Sequence, residues 1–295
     1  MTAARGMLTQ LGIDSASPVT KRFDFVSEDI IADEVFIDGN GLRGTLEHNS
    51  DRVRQGPRRI HGPLRLQPNA VEWALLLPWI LGTAGSGSPT VTFALNDSLL
   101  TRFVAIDRND GAGLFTYDTV AVNRAIIRGA EGGILSLDLD LVGKDETKTG
   151  SFPALSIDTA NGPYVFTDLA LQLGATSAIT AKSFELTIDN HIDTERFFNS
   201  LTLSVPVKHD RTTTFSTSLP YGDYNTLYNT GVAGVAATAV FTYAGATLTF
   251  TIGNVKLPRR SPSTPGRAEI MLPLSGLCYK IGATPSLSVS QNPGP

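Results

Sequence analysis

Three observations in the sequence predict a β-rich fold, all-β or α+β. The 295 residues include 28 Gly and 17 Pro in a chain rich in Thr and Val, the composition of many short strands joined by turns. Several segments alternate apolar and polar residues with the period of two that buries one strand face. One order of elements also occurs twice, about 150 residues apart, and self-similarity of that kind is the mark of a duplicated unit.

In the first half, Leu42, Gly44 and Leu46 suggest a strand, and Leu64-Arg65-Leu66-Gln67-Pro68 a second one running into a proline. A helix is expected from Asn69 to Leu77, with Val71, Trp73, Ala74, Leu75 and Leu77 around Glu72; Pro78 should end or kink it before Gly82. A hairpin follows, Thr90 to Phe93 and Leu100 to Phe103 about a turn at Asn96-Asp97-Ser98. The half closes on a strand with Leu135, Leu137, Leu139 and Leu141 on one face and Ser136, Asp138 and Asp140 on the other.

The second half repeats the order. Phe184, Leu186 and Ile188 mark a strand, Ser216 to Pro220 another, and Gly222 to Tyr228 a shorter helix closed by Gly234. A hairpin of Thr238 to Phe241 and Leu248 to Thr251 turns at Ala244-Gly245-Ala246, and Ile270, Leu272 and Leu274 then alternate with Met271, Pro273 and Ser275. Aligning Pro68 with Pro220 brings Arg59 to the place of Arg211. A tandem duplication follows, against the plainer reading that any α+β chain yields strand-helix-strand patterns. The expected division is an N-terminal arm over 1–20, a first domain over 21–149 and a second over 150–295 with a C-terminal tail. Lys144 to Gly150 serves as the solvated link, and the boundary falls between Gly143 and Gly162.

A net charge of −4 and a pI near 5.6 give the whole molecule no attraction for nucleic acid. Cys278 is the single cysteine, so no internal disulfide or Cys-rich metal cluster is available, and Leu277 and Tyr279 beside it predict a buried strand position. Met1 to Gly12 lacks the apolar core of a signal peptide. The most apolar stretch, Ala70 to Leu81, contains Glu72 and Pro78 and is too short to span a bilayer. The expectation is a protein neither exported by signal peptide nor embedded in a membrane.

Catalytic constellations are not legible. No two of His48, His61, His191 and His209 stand at the spacing that sets two ligands on one helical face. In the run Gly82 to Pro89, Ser88 occupies the place where a phosphate loop needs Lys, and the run follows a helix. No Gly-x-Ser-x-Gly elbow presents a serine. Asp138 and Asp140 share a strand face and could serve as acid and base, or form a solvent-facing acidic stripe. Catalytic, cofactor and metal residues are therefore expected to be none. Arg52, Arg54, Arg58 and Arg59 crowd a loop around Gln55-Gly56-Pro57. That loop could meet nucleic acid, pair with a neighbour's carboxylates or stay solvated; no aromatic residues are interleaved for base stacking.

Ser50 to Ile60, Ala74 to Gly82, Val122 to Ala125, Glu131 to Gly133 and Leu139 to Asp145 resemble the tail tube proteins of siphophages, bacteriophages with long non-contractile tails. So, most specifically, do Lys182-Ser183-Phe184-Glu185-Leu186-Thr187-Ile188-Asp189-Asn190, Arg196 to Leu201, Asp210-Arg211 and Pro265 to Leu272. The likeness covers roughly residues 20 to 290, and none of its motifs is catalytic.

That resemblance implies a mainly β fold, a β-sandwich or barrel with flanking short helices, whose domains lend strands to a barrel around a lumen. It implies a structural virion protein, the major tail tube subunit, forming stacked rings around the channel for DNA ejection. Two tandem domains would let three copies close a pseudo-hexameric ring; a homohexamer of one undivided domain competes. The implied partners are further copies of the chain, the tape measure protein, the tail terminator and the baseplate or distal tail proteins. Viral double-stranded DNA would pass through without specific binding, and assembly would take place in the host bacterial cytoplasm. A channel wall should not hold phosphates, so Asp138, Asp140, Glu185 and Asp189 are candidates to face the lumen, or equally the outer surface. Arg52, Arg54, Arg58, Arg59 and Arg211 are candidates for contacts between subunits or rings. The alternatives are a monomeric β-sandwich binding module, which would need an exposed aromatic platform, and a phage-associated hydrolase.

Overall fold

The computed structural model describes residues 6–39, 41, 47, 50–108, 113–149, 162–174, 176–197, 199–222, 227–267 and 269–294. The first half runs β1 (Gln10–Asp14), β2 (Arg22–Phe23), β3 (Phe25–Glu28), β4 (Ile31–Asp38), β5 (Val53–Leu66), α1 (Ala70–Leu81), β6 (Val91–Ala94), β7 (Arg102–Asp107), β8 (Leu114–Ala130), β9 (Ser136–Gly143) and β10 (Asp145–Thr149). The second runs β11 (Leu169–Leu173), β12 (Thr176–Ile179), β13 (Ser183–Asp189), β14 (Ile192–Asp193), β15 (Val207–Lys208), β16 (Thr212–Pro220), α2 (Leu227–Ala233), β17 (Val235–Tyr243), β18 (Ala246–Lys256), β19 (Met271–Cys278) and β20 (Leu287–Asn292). The fold is mainly β, and every pairing is antiparallel, as the alternating pattern requires.

One broad sheet has the order β4-β5-β9-β8-β13-β16-β19, with β3 beside β4 on the same edge of β5. A second layer runs β12-β11-β17-β18-β20-β6. β8 is long enough to serve two layers. Its C-terminal part lies between β9 and β13 in the broad sheet. Its N-terminal part pairs with β7 and β10, and β7 continues to β1 and β2. The change of layer coincides with Thr119, which has a positive φ of 51°, and with a register shift between Val122 and Arg124. Among the described residues the pairings never return to their starting strand, so one copy does not close a barrel.

The alternation builds the core. β9 buries Leu137, Leu139 and Leu141, β13 buries Phe184, Leu186 and Ile188, and β19 buries Leu272 and Leu274. Phe184 meets Phe241 of the opposite layer at a centroid distance of 5.7 Å, and Phe241 meets Phe250 edge-on at 6.2 Å. Such aromatic pairs add about 0.5–1.5 kcal/mol each beyond the area they bury.

Asn69 caps α1: its side chain accepts from the backbone N–H of Val71 and Glu72, while Glu72 Oε2 accepts from Asn69 N at 2.8 Å. Pro78 does not end the helix, which continues to Leu81 and closes at Gly82 in the left-handed conformation. An interior proline costs about 3 kcal/mol. Trp79, Ile80 and Leu81, all buried beyond it, offset that at roughly 1.5–3 kcal/mol each. Trp79 also donates to Val120 O at 2.9 Å, fixing the helix to β8.

Three further local expectations change. The hairpin between Thr90 and Phe103 does not form: β6 pairs with β20, and β7 pairs with β8. Leu95 instead donates to Leu287 O, and Asn96 to Leu81 O, so the Asn96 turn redirects the chain. Helix is described at residues 221–222 and again at Leu227–Ala233, so both ends of the expected span are helical, and it closes at Gly234; 223–226 lie outside the described residues. Asp145 to Thr149, expected as a link, is β10, because its backbone completes the free edge of β8. Residues 1–20, expected as an arm, supply β1, whose Leu11 and Ile13 are buried. Leu42, Gly44, Leu46 and His48 lie outside the described residues.

Candidate functional site

The face of the broad sheet turned away from the core collects the candidate acids. Alternation sends Asp138 and Asp140 of β9, and Glu185 and Asp189 of β13, to the same side. Arg65 of β5 and Arg124 and Arg128 of β8 lie on that side too. In register, Arg65 stands opposite Asp138, Asp140 opposite Arg124, Arg124 opposite Asp189, and Arg128 opposite Glu185. Each acidic position therefore borders a basic one across a strand.

The contacts are direct. Arg128 Nη1 binds Asp138 Oδ2 at 2.7 Å, and Arg128 Nε binds Glu185 Oε2 at 2.8 Å. Arg65 Nε approaches the other Asp138 oxygen at 3.2 Å, close enough to pair in charge although that buried oxygen receives no directed hydrogen bond. Asn123 Nδ2 donates to Asp140 at 3.1 Å, and Asp189 accepts from His191 N at 3.0 Å. The hydrogen bond it donates to Glu185, with Asp138 beside it, holds the Arg128 guanidinium above its ordinary value. Among these seven side chains, four carboxylates against three guanidiniums leave one negative charge in surplus. Farther along the face, Ser216 Oγ donates to Ser275 Oγ at 2.8 Å, beside a groove bordered by Arg128 and Arg260.

The basic cluster is strand rather than loop. Arg54, Arg58 and Arg59 lie in β5, opposite Ile37, Glu34 and Asp33 of β4, and Arg52 closes the short 3-10 turn Ser50–Arg52. The backbone alternates through Gln55-Gly56-Pro57 because β4 supplies a partner edge, which the charge run concealed. Arg58 Nη1 pairs with Asp145 at 3.0 Å. Arg59 reaches Glu195 at 3.7 Å and lies over the Phe197 ring at 5.6 Å. The hairpin also exposes apolar side chains that sequence inspection missed: Phe36 is 66% and Ile37 56% exposed, with Val35 beside them. The consecutive Val35-Phe36-Ile37 in a strand was the available signal, since such a run must turn an apolar side chain to each face.

Arg211 is held within its own chain. It donates to Asn190 Oδ1 at 2.8 Å and to Asn96 O at 2.5 Å, and Asn190 Nδ2 donates in turn to Val122 O. Lys208 Nζ reaches Asn96 O and Ser98 O at 3.0 and 3.1 Å. Burial, with Arg211 nearby, pulls the Lys208 ammonium down to about 8. Cys278 ends β19, and burial pushes its thiol up to about 12, an inert state. His209 N donates to His191 O at 3.2 Å while His61 lies on β5, and among the described residues no three metal-ligating side chains converge. No described helix is long and apolar enough to cross a membrane.

The arrangement offers surfaces, a charge-compensated sheet face and an apolar-tipped hairpin, and these suit assembly. No curated protein matches the chain. The family model for phage tail tube proteins matches residues 37–278, a span that takes in the hairpin strand β5, every strand of the polar face and the Arg211 cluster. The chain belongs to the phage tail tube protein family.

Proposed function

We propose that this chain is the major tail tube subunit of a long, non-contractile phage tail, and that its copies stack as rings around the channel through which DNA leaves. The observation that carries this is the polar sheet face, where cross-strand registration neutralises all but one charge. A wall of that kind offers phosphates little to bind, since affinity for DNA grows with each phosphate neutralised. Asp138, Asp140, Glu185 and Asp189 then line the lumen with Arg65, Arg124 and Arg128 between them.

The same reading takes the chain as two tandem tail-tube units, 21–149 and 150–295. Support comes from the parallel arrangement of pairs: β5 leads to α1 and pairs with β9, and β16 leads to α2 and pairs with β19. Three copies then make a ring of six units. The β4-β5 hairpin, with Phe36 and Ile37 exposed and Arg52, Arg54, Arg58 and Arg59 along it, carries contacts between rings. Arg211 serves the fold from inside. Tape measure, terminator and distal tail proteins complete the tail, assembled in the host cytoplasm.

Electron microscopy of the purified protein tests the proposal. Hollow tubes or closed rings with three copies per turn are expected. Strictly monomeric particles at high concentration would overturn it, and six copies per ring would refute the two-unit arrangement.

A further inference from the structure

The edge β3-β4 of the broad sheet is built like β13. Ser27, Ile31 and Asp33 stand opposite Arg65, His61 and Arg59 of β5. Ser183, Thr187 and Asp189 stand opposite Ser218, Thr214 and Thr212 of β16 with the same spacing. In each set the intervening residue on that face is acidic, Asp29 in one and Glu185 in the other. Gly62 permits the match, because at its φ of 152° a Cβ would lie 2.0 Å from Asp29 O. In β13 this acidic face docks on β8, where Arg124 and Arg128 meet Asp189 and Glu185. Among the described residues no strand docks on the outer edge of β3-β4, and Ser27, Asp29, Ile31 and Asp33 are exposed. Arg59, the residue across from Asp33, is turned to Glu195 and Phe197 instead.

The counterpart of β8 in the second half is also identifiable. Ala121 of β8 pairs with Val142 of β9, and Lys256 of β18 pairs with Leu277 of β19 at the same place in the pattern. β8 continues from there as a strand to Ala130. Beyond Lys256 the chain instead leaves the ladder, because Pro258, Pro262 and Pro265 carry no backbone donor. The segment from Pro258 to Arg267 lies outside any strand along the outer side of β19, with Arg260 donating to Pro273 O at 3.3 Å. Arg259, Arg260 and Arg267 are all exposed on it.

We propose that this basic segment of one copy receives the β3-β4 edge of the next, as β8 receives β13 inside one copy. Arg259 and Arg260 meet Asp29 and Asp33, and the contact between neighbouring copies repeats the contact between the two halves. This rests on the ring proposal above and names the residues of its lateral joint. The occupant is a second copy of this chain, because the internal joint is the pattern and the two edges carry opposite charge. Prolines in the receiving segment limit its backbone donors, so charge pairing carries more of this joint than of the internal one.

Charge exchange tests it. Full-length Asp29→Lys/Asp33→Lys and Arg259→Glu/Arg260→Glu chains should each need about tenfold more protein, or higher still, for half-assembly into rings, the effect of losing a close interfacial charge pair. Mixing the two variants should recover assembly only in part, because a ring of three can restore two of its joints and keeps one like-charge joint, whereas a chain carrying both pairs should assemble near the unsubstituted concentration. Circular dichroism and the thermal midpoint verify that each variant is folded. As a second measure, Asp33→Cys with Arg259→Cys in a Cys278→Ser background should yield disulfide-linked oligomers up to a closed ring under mild oxidation. Rings that form at ordinary concentrations from both charge-reversed chains, with no cross-link across this pair, would overturn the joint while leaving the tube role intact. An unsubstituted chain that stays monomeric would overturn both.

Discussion

Replacing Arg128 by Gln removes the cation that joins Asp138 to Glu185, and the cost can be worked from the geometry. Two charge-assisted contacts are lost, at 2.7 and 2.8 Å, between side chains that are 45% exposed for Arg128, 23% for Asp138 and 40% for Glu185. Pairs that open to solvent are worth about 0.2–1 kcal/mol each, so losing both should cost about 0.4–2 kcal/mol. Asp138 keeps Arg65 at 3.2 Å, and Glu185 loses its described ion-pair partner, so most of the coupling should lie with Glu185. A double-mutant cycle with Glu185→Gln isolates it, measured by urea midpoints at constant slope. The expected coupling is about 0.5–1 kcal/mol at low salt, shrinking at 1 M, where the screening length falls to about 3 Å. Additive single effects, or a coupling that salt leaves unchanged, would refute the charge ladder as a stabilising element of this face.

Arg58→Glu with Arg59→Glu should weaken ring stacking and leave the fold intact; tubes of ordinary length by electron microscopy would refute that role. Phe36→Ser should shorten tubes while leaving the unfolding free energy within about 0.5 kcal/mol, as expected where an exposed side chain is trimmed; unchanged tube length would remove Phe36 from the stacking surface. For Lys208 the sign follows from its lowered value. Between the folded value of about 8 and the ordinary 10.5 the unfolded chain binds the extra proton, so its contribution to stability rises with pH across that window. Lys208→Met should flatten the rise, and identical pH profiles of stability would contradict it. Asp140→Asn with Asp189→Asn converts the face from one negative charge in surplus to one positive. Phage carrying that variant should eject DNA more slowly at low salt than at high salt; ejection unaffected by the substitution would move these residues off the lumen.

Much of the broad sheet was legible because its strands carry their own signal. Leu137, Leu139 and Leu141 alternate with Asp138 and Asp140, and the pattern fixes both face and register in a sheet buried on one side. That is why four candidate acids from two distant segments share a face. The three guanidiniums between them were harder to see. Arg65 and Arg124 sit in unrelated stretches of sequence, and pairing across strands is invisible until the order β5-β9-β8-β13 is known. Arg54, Arg58 and Arg59 looked like a loop because Gly56 and Pro57 interrupt them, and only the partner edge of β4 makes the stretch a strand. The failed hairpin after α1 has a similar cause. β6 is short and its partner β20 lies at the far end of the chain, and local turn chemistry carries no trace of so distant a pairing.

Composition alone argued for an acidic or neutral wall, and the register explains why neutral is the better solution. Asp138 and Asp140 on β9 and Glu185 and Asp189 on β13 flank β8 from both sides, so without the cations on β8 and β5 four carboxylates would share one face with nothing to offset their repulsion. A wholly basic face would suffer the same repulsion and would also hold phosphates. Alternating the signs removes both costs: each carboxylate stands across a strand from a guanidinium, Asp138 and Glu185 bind one directly, and a guanidinium so engaged has fewer donors left for a passing phosphate. Arg128 shows the effect most clearly, since Nε and Nη1 are already committed to Glu185 and Asp138. If this face lines the lumen, as proposed, the hydrogen bonds that hold it together are also the ones that keep it from gripping DNA.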